Sequence, residues 1–492
     1  MIEQFPSVLA SLVSLDVLLA LTLGTILGII VGALPGLGTV LGLVMVLPFT
    51  FEMDGVTAIA LLLSVYVSSI YGGSLTAILI NIPGTPQSAA SVLDGYPMAK
   101  KGQAALAIGY ATVASFIGGV FSLVVLVLAA PLLAKLSLQF GPIEMFALLF
   151  MALTMVAWVS GEEIIKGVLA AAIGLFVALV GFDDVSGVER FAFDSVFLSA
   201  GFGLIPLLIG VFAISEILFQ AATLRDSSTP AVTGGGFKMP PWAEWKSRIW
   251  VLVRSCSIGT FIGILPGTGA TTAVFVSYAD ARKHAKDADD FGKGAPSGLI
   301  ASESANNAVS GGALVPMLSL GIPGDGGTAV LLGALTIHSV IPGMMLFAER
   351  PDVVLQVFML LMIANVAMLV IGAVGAGWFS KLLNIPISLL VPLVLVISLI
   401  GAFATRSNPV DLVAICVFGF FGFILRILNF PMAALVIGFV LGKPLEFALR
   451  QGMAITGGHF GGFFKEPIAL GLLLVSGAIL GTALYKELFR KR

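Results

Sequence analysis

The sequence predicts an all-α polytopic membrane protein made of two inverted structural repeats, with Gly/Pro-broken helices, two re-entrant hairpins and about 11 crossings. Three observations carry that prediction. Of 492 residues, 58% are hydrophobic and only 11% charged, whereas about a quarter of an ordinary soluble domain is charged. The 58 glycines and 24 prolines fall largely inside apolar stretches, where helix breakers survive only if protein or a water-filled cavity satisfies the freed backbone. Two glycine-proline motifs recur in the same order in both halves.

Residues 1–222 read as an N-terminal membrane repeat. The opening Met1-Ile-Glu-Gln-Phe-Pro6 has no basic region and no small-residue cleavage site follows, so the first apolar segment is expected to be retained. Apolar runs at 120–133, 168–180 and 391–402 approach, with their flanks, the roughly 20 residues that cross a bilayer. Residues 223–248 are polar, rich in Pro and Gly, and carry Arg225, Lys238, Lys246 and Arg248. They read as a cytoplasmic linker. Residues 249–492 form the C-terminal membrane repeat plus a final helix.

Gly32-Ala-Leu-Pro-Gly-Leu-Gly38 recurs as Gly263-Ile-Leu-Pro-Gly-Thr-Gly269, and Asn81-Ile-Pro-Gly-Thr-Pro86 recurs as Gly321-Ile-Pro-Gly-Asp-Gly326. A weaker third echo pairs Ile205-Pro-Leu-Leu-Ile-Gly210 and Glu216 with Leu435-Val-Ile-Gly438 and Glu446. Loop charge orients the halves. The stretch after Gly38 is acidic, with Glu52 and Asp54, while that after Gly269 carries Arg282, Lys283, Lys286 and Lys293. After the second motif the signs swap: Lys100 and Lys101 in one half, Glu349, Arg350 and Asp352 in the other. Matching loops of opposite charge face opposite sides, which predicts inversion and puts the tail Arg490-Lys-Arg492 in the cytoplasm. The 249–278 segment is too short for two spans, so it is expected to enter and return on one face with its tip at 265–269.

Symmetric helix breaks point to a midplane transport site, because half-helix ends and unwound carbonyls meet there. A helix N-terminus presents unpaired N–H groups and partial positive charge, so it can hold a carboxylate without a lysine or arginine. Hydroxyls and amides crowd the second break: Ser68, Ser69, Ser74, Thr76, Asn81 and Thr85 in one half, and Ser302, Ser304, Asn306, Asn307, Ser310 and Thr328 in the other. Any single serine is explained as helix-packing glue; the symmetric cluster is better explained as a site. The substrate is therefore assigned to Ser74, Asn81, Gly84, Thr85, Ser304, Asn306, Asn307, Gly324 and Thr328. The coupling cation, Na⁺ or a proton, is assigned to Asp325, Ser310, Gly36, Gly267 and Thr268, with Asp325 the candidate Na⁺ ligand.

Asp325 and Glu303 are carboxylates in apolar surroundings, costly and by default functional. Glu303 has a competing reading as a helix end near Lys293. Glu216 and Glu446 read as interfacial caps outside the site, Arg254 and Lys166 as snorkelling side chains, and Cys256 and Cys416 as core residues. The three histidines have no ligand spacing. No His-Glu-x-x-His, Gly-x-Ser-x-Gly or Gly-x-x-x-x-Gly-Lys-Ser/Thr pattern occurs, which disfavours an enzyme or an ATP-driven pump, and the net charge of -2 gives no reason to expect nucleic acid. No cofactor is expected beyond the coupling ion. An anion channel, or a carrier for a non-carboxylate solute, stays open.

The Gly32 motif with its repeat, Tyr71-Gly-Gly-Ser74 before Ile82-Pro-Gly-Thr-Pro-Gln87, Asp94-Gly-Tyr-Pro-Met-Ala-Lys-Lys-Gly102, Phe291-Gly-Lys-Gly-Ala-Pro296 and Glu303-Ser-Ala-Asn-Asn307 resemble the large membrane subunit of the tripartite tricarboxylate transporter family. The resemblance covers nearly the whole chain. It implies a bacterial inner-membrane protein that works in a lipid bilayer with a small membrane subunit and a periplasmic solute-binding protein. It also implies uptake of small carboxylates, citrate-like compounds among them, driven by an ion gradient.

Overall fold

The computed structural model describes residues 5–159, 164–183, 185–223, 236–267, 269–285, 288–382 and 409–490. Thr268, Asp184, Lys286, Arg225 with most of the linker, the apolar run at 391–402 and the last two residues lie outside that set. The described chain is helical except for short connections and one antiparallel pairing, Gly181–Phe182 against Glu189–Arg190. Seven of its helices are long and apolar enough to cross a membrane.

The first half runs through α1 (Phe5–Leu12), α2 (Leu15–Ala33), α3 (Gly38–Val46), α4 (Gly55–Ile80), α5 (Ala89–Met98), α6 (Ala104–Ser137), α7 (Pro142–Val159) and α8 (Ile164–Ala178). It ends in α9, a continuous helix of three stretches: Leu204–Leu208, the π-helical Ile209–Ile214 and Ser215–Thr223. The linker contributes α10 (Trp242–Ser247). The second half comprises α11 (Ile249–Ile264), α12 (Gly269–His284), α13 (Pro296–Leu320), α14 (Gly326–Ile337), α15 (Pro351–Leu382), α16 (Pro409–Ile427), α17 (Met432–Ile455) and α18 (Pro467–Arg490).

Helix ends follow local chemistry. Asp54 caps α4 by accepting from the Val56 and Thr57 N–H groups at 3.0 and 3.2 Å, satisfying donors that the first turn leaves unpaired. Both α4 and α13 stop in left-handed backbone two residues before the repeated proline, at Asn81 (φ 62°) and Gly321 (φ 71°). The motif prolines then prevent helical continuation.

Helices α4 and α13 are the centre of the molecule. Every residue from Thr57 to Leu79 and from Ser297 to Ser319 is buried, so their serines, asparagines and Glu303 meet protein and not lipid. The helix pairs α2–α4 and α11–α13 use the same close approach. Gly32 presses on the Ser69 carbonyl, and a Cβ on Gly263 would stand 2.7 Å from the Val309 carbonyl. Ser69 and Val309 occupy matching places, each 14 residues before its motif proline. Small residues that let backbones touch are what holds helices together where no hydrophobic force acts between them.

Each long helix then crosses to the opposite half: α6 lies along α13, and α15 along α4. A peripheral group of α7, α8, α17 and α18 packs together, while α9 packs on α16. The third echo falls here. Gly210 of α9 abuts α16, and Gly438 of α17 abuts the Ala171 carbonyl of α8, so both matching glycines contact the other half.

The motifs at one end of the molecule clasp each other. Asp94, fully buried, accepts from the N–H groups of Gly292, Gly294 and Ala295 at 2.8–2.9 Å and from the Tyr278 hydroxyl at 2.9 Å. Lys101 donates to the Lys293 carbonyl at 2.7 Å beside it, so the two basic loops share an end. Elsewhere Gly55 faces His338, where an added Cβ would stand 3.9 Å from the His338 Cβ. Two side-chain readings change. Cys256 is buried, but Cys416 is exposed on α16, which costs nothing where the outer face meets lipid. Arg254 does not snorkel alone; it pairs with Asp280 at 3.2 Å and so joins α11 to α12. Lys166 donates to the Leu428 carbonyl at 2.6 Å.

Candidate transport site

Both pairs of broken helices open onto one cavity of about 720 Å³. Its wall contains Gly36–Val40 at the start of α3, Pro83–Gln87 leading into α5, Gly269–Thr271 at the start of α12, and Asp325–Gly327 at the start of α14. Four helix N-termini thus converge, two from each half. Asn429–Met432, entering α17, add a fifth. The first N–H groups of a helix have no partner within it, and at α3 no side chain caps them. Arg426 and Glu216 complete the wall.

The two tips are built alike. The Thr85 N–H donates to the Ser88 hydroxyl at 3.4 Å, and the Asp325 N–H to the Thr328 hydroxyl at 2.9 Å, with equal spacing in sequence. Gly84 is pressed against the Gly32 carbonyl and Gly73, and Gly324 against Ala313, where an added Cβ would stand at 2.7 Å. The Gly267 N–H donates to the Gly324 carbonyl at 2.8 Å, which fixes one break against the other.

Asp325 caps α14, accepting from the Thr328 N–H at 2.7 Å, and its second oxygen accepts from the Tyr66 hydroxyl of α4 at 3.0 Å. The second tip is therefore held by a side chain of the first half. Thr85 lines the cavity, with its hydroxyl buried against Gly73 of α4 and without a hydrogen-bond partner. Gln87 donates to Thr39 at 3.3 Å across the same wall. Arg426 ion-pairs with Glu216, and its guanidinium stacks 4.9 Å from the Phe219 ring. Gln220 also donates to Glu216, at 2.8 Å.

Of the residues named from sequence, Gly36, Gly84, Thr85 and Asp325 line this cavity. Gly324, Gly267 and Thr328 stand directly behind it through the contacts above. Ser74, Ser304, Asn306, Asn307 and Ser310 are fully buried in α4 and α13, outside the lining. Asn81 stands exposed beyond the end of α4. Arg426, Gln87 and Thr39 are not among the residues the sequence singles out, and Glu216 reads from sequence as an interfacial cap. It is 4% exposed and belongs to the wall. The available signal was its echo with Glu446, whose partners are Arg190 at 2.6 Å and Arg450 at 2.7 Å. Both glutamates pair with an arginine brought from elsewhere in the chain.

A second cavity, about 470 Å³, lies along the same seam beside Leu332, Thr336 and residues 200–206. Its wall is largely apolar, with Lys443 its ionisable group.

The family model of the tripartite tricarboxylate transporter TctA family matches residues 18–437. The chain belongs to the TctA family. Over 453 residues it is 35% identical to the "Uncharacterized 52.8 kDa protein in TAR-I ttuC' 3'region" of Agrobacterium vitis, covering 92% of this chain and 89% of that protein. Over 234 residues it is 33% identical to the "Uncharacterized protein in TAR-II ttuC' 3'region" of the same organism, covering 48% of this chain and 97% of that one. No solved structure matches. As a TctA protein it is a membrane subunit of a tripartite transporter, with other subunits and a small-molecule substrate.

Proposed function

We propose that this chain is the substrate-translocating subunit of a binding-protein-dependent secondary transporter in the bacterial inner membrane. It takes up carboxylates of the citrate class by symport with Na⁺ or a proton. The observation that carries this reading is the convergence of helix N-termini on a single cavity. A helix end carries roughly half a positive charge and unpaired N–H donors; at α3 no side chain caps them, at α14 Asp325 already takes one, and together the ends offer a polycarboxylate more than one anchoring point. Arg426 supplies the one lining guanidinium, and an incoming carboxylate competes with Glu216 for it. Asp325 on the same wall, which has no basic partner among the described residues, repels an anion that arrives alone, and a co-transported cation offsets that repulsion.

The inverted arrangement is supported by paired contacts: Lys101 meets Lys293, and Gly55 faces His338, each joining loops that do not correspond in the repeat. Access alternates as the region bearing the tips moves against the peripheral helices, with a periplasmic binding protein delivering substrate and a small membrane subunit completing the complex.

The test is uptake of labelled citrate, malate and succinate into proteoliposomes holding this chain, the small subunit and the binding protein, with Na⁺ or proton gradients imposed separately. Accumulation above the external concentration is expected under one gradient. Equilibration without accumulation means an anion channel, and no uptake of any carboxylate under either gradient means a carrier for another solute.

A further inference from the structure

Away from the cavity lies a second polar centre, around Glu303 on α13. Its carboxylate is 0% exposed, two turns into the helix and not at a solvated end, so the interfacial reading near Lys293 does not describe it. The Ser91 hydroxyl of α5 hydrogen-bonds one carboxylate oxygen, and the Ser115 hydroxyl of α6 donates to the other at 3.0 Å. Ser74 of α4 stands beside the same carboxylate. Four helices from both halves thus meet at one buried carboxyl group.

Among the described residues no lysine, arginine or histidine pairs with it. An isolated buried carboxylate is costly, and three neutral hydroxyls do not cancel its charge. Several buried polar atoms of α4 and α13 have no partner, the Asn307 Oδ1 among them, and two bear on this centre. The Ser74 hydroxyl makes no hydrogen bond of good geometry, and the Asn306 Oδ1, one turn beyond Glu303, has no partner, although both residues are fully buried. The Asn306 amide reaches toward the Ile70 carbonyl at 3.5 Å, one turn before Ser74, so the two orphaned oxygens belong to the same α4–α13 contact.

We propose that Glu303, with Ser74, Ser91, Ser115 and Asn306, forms a dehydrated binding site for one Na⁺ ion, separate from the anion cavity. The donor set is wholly oxygen, as a hard cation requires. One carboxylate matches one positive charge; a divalent ion would leave excess charge buried. The site also has a mechanical connection. Ser91 lies in the first turn of α5, just after the Thr85–Gln87 stretch of the cavity wall. A cation drawing Ser91 to Glu303 fixes α5 and, through it, one tip of the anion site. That coupling rests on the carrier function proposed above, while the binding itself does not.

The experiment is equilibrium binding of ²²Na⁺ to the purified full-length chain in detergent at about pH 8, where carboxylates ordinarily ionise, with choline as the balancing cation. Wild type is expected to bind Na⁺ saturably. Glu303→Gln is expected to weaken binding about tenfold or more, and Ser115→Ala severalfold, since each removes a buried ligand. Ser137→Ala, which removes a buried hydroxyl bonded only within α6, is expected to retain it. Ser115→Ala keeps the test decisive if Glu303→Gln does not fold. Unchanged affinity in either variant, or no saturable binding by wild type, overturns the site and leaves Glu303 protonated among its serines. Binding that behaves as expected in a chain that transports no carboxylate would instead refute the carrier reading alone.

Discussion

Arg426 brings a guanidinium to a wall whose other positive character comes from helix ends. It stands in the last turn of α16, where a basic side chain also complements the helix dipole, so in sequence it looks like an ordinary terminal cation. Glu216 arrives from a different helix and holds it in place. Replacing Arg426 by Gln is expected to reduce carboxylate uptake about tenfold or more, as loss of a charged ligand in a low-dielectric site does. Because Glu216 is then buried without its partner, Glu216→Gln should restore folded yield, read by size-exclusion chromatography, without restoring uptake. Recovery of uptake in the double variant would make the pair structural. The glycines and Thr85 of the tips were legible because proline and glycine in an apolar run have few explanations. Arg426 and Glu216 were not, since what places them is tertiary contact between segments about 200 residues apart.

At the scale of elements, the breaks after α2, α4, α11 and α13 fall where the repeated motifs put them, and the reason is backbone chemistry. The polar contents of α4 and α13 were harder to sort. Their serines and asparagines share the spacing of site residues and of packing residues, and only burial separates the cavity wall from the interior. The packing claim has a direct consequence: Gly263→Ala must push its Cβ against the Val309 carbonyl and is expected to cost about 1–3 kcal/mol, seen as a lower melting temperature. Gly471, with open space around it, should accept Ala without a comparable loss. A second element-level prediction concerns the 181–190 turn. The Ser186 hydroxyl first, then the Val185 N–H and Arg450, hold the Asp183 carboxyl well below the usual carboxylate range. A depressed folded-state value means the unfolded chain binds the proton more readily, so stability from this group is complete above about pH 4 and is lost as pH falls further. Asp183→Asn should therefore lower the melting temperature at neutral pH and flatten its decline on acidification. A decline as steep as in wild type would remove Asp183 from the acid response.

At the scale of the molecule, each half completes the other. Its long helix packs on the opposite half's central helix, Tyr66 of the first half holds Asp325 of the second, and Asp94 of the first half ties down residues 292–295 of the second. Composition and repeats made the membrane class and the positions of the breaks legible. They did not reveal that four helix starts would face one space, because that depends on the exchange of helices between halves. This convergence is the central claim, and site-directed thiol protection tests it most directly. In a background with Cys256 and Cys416 replaced by Ser, Thr271→Cys places a single thiol on the cavity wall, and Thr336→Cys places one on the second, apolar cavity. The carboxylate taken up best among citrate, malate and succinate should slow labelling at position 271 by a charged methanethiosulfonate reagent about tenfold at saturation, and leave position 336 unaffected. Equal labelling at 271 with and without a carboxylate that is transported would contradict the account and move the substrate elsewhere.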